Sequence, residues 1–68
     1  MSNPGLTPRE REIMILLSKG NDYEDVAYSL GISFETVRTH MKNARTKLEA
    51  TNTSQAITIS ISRGFIVA

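Results

Sequence analysis

Apolar positions in this chain recur mainly at three- and four-residue intervals, the spacing of one face of a helix. The run from Ser33 to Leu48, SFETVRTHMKNARTKL, shows it best. Projected at about 100° per residue, Val37, Met41, Ala44 and Leu48 fall on one narrow stripe that must face a core. Thr39, Lys42, Asn43 and Thr46 point the opposite way, with Arg38 and Arg45 flanking them on one side and His40 and Lys47 on the other. Ser33 is a favourable N-cap, Glu35 complements the positive end of the helix, and no Gly or Pro interrupts the run.

Two further helices are expected before it. Leu6 to Ser18 opens with Thr7 as N-cap, Pro8 where a missing N–H costs nothing, and Glu10 placed to reach back to the cap amide. Its buried stripe is expected to be Ile13, Leu16 and Leu17, with Met14 at the edge and Lys19-Gly20 as the stop. Asp22 to Leu30 is shorter, capped by Asp22, with Val26, Ala27 and Leu30 inward. Gly31-Ile32-Ser33 then supplies a residue able to adopt positive φ, a buried anchor and the next cap. The small Ala27, four residues before Gly31, lets the following helix cross closely. This is a helix-turn-helix, and Ser33–Leu48 is its second helix.

Glu49 to Ser54 reads as a turn, with Thr53 or Ser54 as the next cap. Gln55 to Arg63 is ambiguous. Ile57-Thr58-Ile59-Ser60-Ile61-Ser62 alternates as a strand does, yet a lone strand among helices is an unpaired edge. The helical reading groups Ala56, Ile57, Ser60 and Ile61 on one face and closes on Arg63-Gly64, and it is preferred. The fold class is therefore all-α: a four-helix domain over residues 6–66, behind a flexible lead-in over 1–5.

Charge sharpens the picture. The formal net charge is only +1, but its distribution is uneven. Arg9 to Asp25 holds more carboxylates than cations, whereas Ser33 to Leu48 sets Arg38, Lys42, Arg45 and Lys47 against Glu35 alone. A helix with one dry seam and a basic, hydroxyl- and amide-rich outer face is a candidate reader of the DNA major groove. The plainer reading is a solvated face. Chemistry of other kinds finds little support: there is no cysteine, one histidine without metal partners, no phosphate-cradling glycine loop, and little chain to enclose a pocket. Neither catalysis nor a cofactor or metal is expected. No stretch has the length of a membrane span or the pattern of a signal peptide, so a cytoplasmic protein is expected.

LTPREREI, Gly20, DVAYSLGIS, TVRTHMKNARTKL and SQAITISISRGFI together resemble the LuxR-type helix-turn-helix domain, from Leu6 to Ile66. That resemblance implies a four-helix DNA-binding module that dimerises through its last helix and inserts its third into the major groove. KNARTKL followed by NTSQA looks closer to the quorum-sensing branch than to the phosphorylated one. On the matching positions, Arg38, Thr39 and Lys42 would meet base edges. Ser33, Thr36 and His40 would contact phosphates, joined by Arg45 or Lys47, with Asn43 on the same outward surface. Two positions depart from the pattern: Thr53 stands where relatives usually carry arginine, and Glu24 where they are often basic.

Ile59 lies off the face shared by Ile57 and Ile61, so self-association is expected through Ile59 and its neighbours Gln55, Ser62 and Arg63, weakly in isolation. A twofold dimer implies a near-palindromic double-stranded site. The competing reading is a protein-interaction module, binding another regulator or RNA polymerase with DNA binding lost.

Overall fold

The computed structural model describes residues 4–67; the first three residues of the expected lead-in lie outside them. Four helices follow in order: α1 (Pro8–Ser18), α2 (Tyr23–Leu30), α3 (Phe34–Leu48) and α4 (Thr53–Ser62). The third is the hub, packing against each of the other three.

The buried stripe of α3 is the one the periodicity predicts. Val37, Met41 and Ala44 are completely buried and Leu48 nearly so. Ile13 and Met14 of α1, Val26 and Ala27 of α2, and Ala56 of α4 meet them in one core. Full burial of a Val- or Met-sized side chain is worth about 1.5–3 kcal/mol, so this stripe fixes how α3 is rotated and which residues face outward.

Local chemistry sets the helix ends. Thr7 accepts from the Glu10 amide and Glu10 accepts from the Thr7 amide, a reciprocal capping box with Pro8 just inside it. Asp22 and Asp25 form a second such box on α2. Gly31 adopts the left-handed conformation (φ 67°, ψ 33°), and the Ile32 amide returns to the Ala27 carbonyl at 3.1 Å. That turn closes α2 and delivers Ser33, whose hydroxyl accepts the Thr36 amide and starts α3.

Three expectations need correction. In α1, Met14 is fully buried, whereas Leu16 and Leu17 are only half-buried. The reason is α4, which closes over that side of α1 and brings the Ser60 hydroxyl to 3.5 Å from the Met14 sulfur. At the start of α4, Asn52 is the cap rather than Thr53 or Ser54: its side chain accepts the Gln55 amide at 2.8 Å. Thr53 is instead engaged with the Tyr23 hydroxyl at 2.7 Å, tying the start of α4 to the start of α2.

The third correction concerns α4's faces. The alternating isoleucines do form a helix, because Ala56 and Ser60, four residues apart, are both completely buried against the core. These two small residues allow close packing that a strand, presenting Ile57, Ile59 and Ile61 together, would not make. Ile59 is half-buried and packed against the core, so it does have a home within the domain. Ile61 is the exposed isoleucine, at 41%. Past Arg63 and Gly64 (φ 75°), the Phe65 and Ile66 amides both donate to the Ser60 carbonyl, and the returning chain buries Ile66.

Candidate nucleic-acid interface

With α3's seam fixed in the core, its opposite face is open. Arg38, Thr39, Lys42, Asn43 and Thr46 are all exposed. The Thr46 hydroxyl turns back to the Lys42 carbonyl at 3.1 Å and stabilises the helix rather than reaching outward. At the N-terminal end, Ser33 and Thr36 are exposed and their hydroxyls lie 2.8 Å apart, so both remain at the surface while serving the cap. His40 is half-buried on the flank.

Arg38, Thr39, Lys42 and Arg45 converge with Glu35 and Tyr23 around a shallow hollow of about 390 Å³ between the start of α2 and the outer face of α3. Arg45 is half-buried there, and its Nε is buried without a hydrogen-bond partner among the described residues. Burying a charged donor is costly unless something accepts from it. Glu35 and Arg38, one turn apart, form an exposed ion pair at 2.9 Å.

Lys47 is placed differently from its neighbours. Its ammonium donates to both carboxylate oxygens of Glu10 at 2.9 Å, which directs it to the α1 side. Of the cations on α3, Lys47 is therefore engaged within the fold. Helical projection placed it on the rim of the outer face; it did not reveal a buried carboxylate waiting there. Tyr23 and Glu35 also line the hollow, which helical projection of α3 alone does not show. Glu35 could have been found, since it lies three residues before Arg38 on the same helix face.

On the last helix, Gln55, Ser62 and Arg63 are exposed and Ile59 is half-buried. The Gln55 side chain also accepts from the Thr51 amide and hydroxyl, at 2.6 and 2.9 Å, and so supports the cap of its own helix. No cluster able to hold a metal ion occurs among the described residues, and none of their helices is long and apolar enough to cross a membrane.

A short capped helix, a left-handed glycine turn and a second helix with its donors turned outward define a helix-turn-helix DNA-binding domain. Comparison with known families agrees: residues 4–60 match the family model described as bacterial regulatory proteins, luxR family, and the chain belongs to that family. It is a DNA-binding regulatory domain, not an enzyme. The solved structure of the transcription factor GerE superposes with a TM-score of 0.86 at 41% identity, over 90% of this chain and 91% of that one. The transcriptional activator protein CarR of Pectobacterium carotovorum subsp. carotovorum is 45% identical over 56 residues, 82% of this chain and 23% of CarR. The transcriptional regulatory protein MctR of Rhizobium johnstonii is 39% identical over 61 residues, 90% of this chain and 28% of MctR. The chain thus spans about a quarter of the length of these curated relatives.

Proposed function

We propose that this domain binds double-stranded DNA sequence-specifically, as a transcription regulator or the DNA-binding part of one, with α3 in the major groove. The observation that carries the reading is the convergence of the Arg38, Thr39, Lys42 and Arg45 side chains on one side of a helix whose other side is locked in the core. A rigid helix pre-organises its donors, so little ordering entropy is lost on docking. Arg38 presents a fork suited to guanine O6 and N7, Lys42 a donor one turn further on, and Thr39 a methyl for thymine or a hydroxyl for a base or phosphate. Arg45, Ser33, Thr36 and His40 are assigned to phosphates, which fix register without reading sequence. Asn43 lies at the edge of this surface. Lys47 is left out of the contact set, since taking it to a phosphate would strip a buried carboxylate of its partner.

Pairing of two copies through α4 completes the proposal. Exposed Ile61, with Ser62 and Arg63 beside it, is the better candidate for the centre of that contact than Ile59. A twofold pair reads a near-palindromic site with half-sites about one helical turn apart. The domain works where bacterial DNA lies, in the cytoplasm. KNARTKL and NTSQA favour control by a quorum signal, sensed by a part of the protein outside these residues. A contact with RNA polymerase is assigned to the acidic outer side of α2, where Tyr28 stands 90% exposed on the same short helix as Glu24 and Asp25.

The direct test is to follow backbone amide shifts while a short mixed-sequence duplex is added at low and then higher salt. Shifts clustered on residues 33–45 that weaken steeply with salt are expected, because phosphate contacts release counterions. No movement at low salt overturns the proposal.

A further inference from the structure

Glu35 is out of place on a surface built for DNA. It is the sole carboxylate on α3, its side chain is 75% exposed, and it lines the same hollow as Arg38, Thr39, Lys42 and Arg45, which can all donate hydrogen bonds. Its place in the first turn suits the positive end of α3, a small contribution at an exposed position, and among the described residues its side chain is paired with Arg38, which is itself 58% exposed. A negative charge facing phosphates weakens binding to every duplex alike. Two features give it a use. Its Oε1 accepts from Arg38 Nη1 at 2.9 Å, which restrains an otherwise mobile guanidinium. The bond engages Nη1, and the Nη2–Nε edge of the same group carries the two parallel donors that guanine O6 and N7 accept.

Resting on the major-groove reading above, we infer that Glu35 is a specificity-determining residue: it positions Arg38 on a guanine and itself accepts the N4 amino proton of a cytosine in the adjoining base pair. The chemistry is selective because an ionised carboxylate can only accept. Cytosine offers N4–H₂ in the major groove, whereas guanine N7 and O6 and thymine O4 are acceptors that repel it; adenine pairs its N6 donor with a repelling N7. Glu35 thus acts chiefly by rejection. It lowers affinity for all sequences and lowers it least where a cytosine stands opposite, which is how a repulsive group raises discrimination.

The test compares the native chain with Glu35→Ala, Glu35→Gln and Arg38→Ala. Each is run through selection from a randomised duplex pool, then fluorescence anisotropy on the selected duplex, its single-base-pair variants and a scrambled duplex. Circular dichroism melts check that each variant folds. Glu35→Ala is expected to bind the scrambled duplex about threefold more tightly, as a repulsive charge is removed. It should also lose a preference of about tenfold at one cytosine-bearing position. Glu35→Gln is expected to move the preferred base there from cytosine to adenine, whose N6 and N7 match an amide. A merely structural role would not change which base is chosen. If Glu35→Ala selects the same sequences as the native chain with the same discrimination, while Arg38→Ala does not, this inference fails and the groove reading stands. If the native chain selects no sequence at all, both fail.

Discussion

The Lys47 ammonium and the Glu10 carboxylate, 37 residues apart, meet through two 2.9 Å hydrogen bonds, and the same carboxylate closes the cap of α1. Glu10 is 2% exposed and the Lys47 side chain 30%. One residue thus starts the first helix and pins the last turn of α3. Removing one member of such a pair leaves the other buried without its partner, which costs more than an exposed pair is worth. Glu10→Ala is expected to destabilise the domain by about 3 kcal/mol in urea melts, combining the lost pair with the lost cap. Lys47→Ala is expected to cost about 1–2 kcal/mol, because the Thr7 amide still satisfies part of the carboxylate. The double variant should cost less than the sum of the two singles.

Arg38 and Arg45 should separate specific from general binding. Arg38→Ala is expected to weaken binding to the preferred duplex by about 1–3 kcal/mol while affecting a scrambled duplex much less. Arg45→Ala should weaken both duplexes together and reduce the salt dependence by about one phosphate contact. Anisotropy titrations at three salt concentrations read both effects; equal losses for Arg38→Ala on the two duplexes would remove it from the base-reading set.

Ile59 and Ile61 of α4 should behave in opposite ways. Ile59→Ala is expected to lower stability by about 1–2 kcal/mol, since its side chain packs on the core. Ile61→Ala, at an exposed position, is expected to leave stability within about 0.5 kcal/mol. If α4 is the pairing surface, Ile61→Ala should also shift sedimentation equilibrium toward monomer. Unchanged self-association would move the dimer contact elsewhere.

The Tyr23 and Thr53 hydroxyls, 2.7 Å apart, join the start of α2 to the start of α4. Tyr23→Phe and Thr53→Val are each expected to cost about 1 kcal/mol, with the double variant costing little more than either alone. Additive losses in urea melts would show that the two hydroxyls act independently.

Gly31 tests the turn between α2 and α3. A Cβ built there meets nothing within 4 Å, so the expected loss for Gly31→Ala, about 1 kcal/mol, is conformational alone. Glu49 also adopts positive φ (55°), ending α3, and Glu49→Gly is expected to be neutral or slightly stabilising. Thermal melts of both variants check the pair.

The four helices, the first three caps, the helix-turn-helix and the outward face of α3 are legible along the chain. Each depends on residues close along the chain: Thr7 with Glu10, Gly31 before Ser33, and Val37, Met41, Ala44 and Leu48 at helical spacing. Contacts between residues far apart were decided only in three dimensions. The alternation from Ile57 to Ser62 has the period of a strand, and burial of Ala56 and Ser60 shows why the helix prevails. Which isoleucine remains exposed and why Met14 is deeper than Leu16 follow from how α4 docks on α1 and α3, while Thr53 is drawn off the cap by Tyr23 of α2. Lys47 is the clearest case. Helical projection gives its direction to within part of a turn, but its role depends on a carboxylate brought to it by a different helix. Local hydrogen bonding and periodicity are encoded over a few residues; partners across the core exist only once the helices have packed.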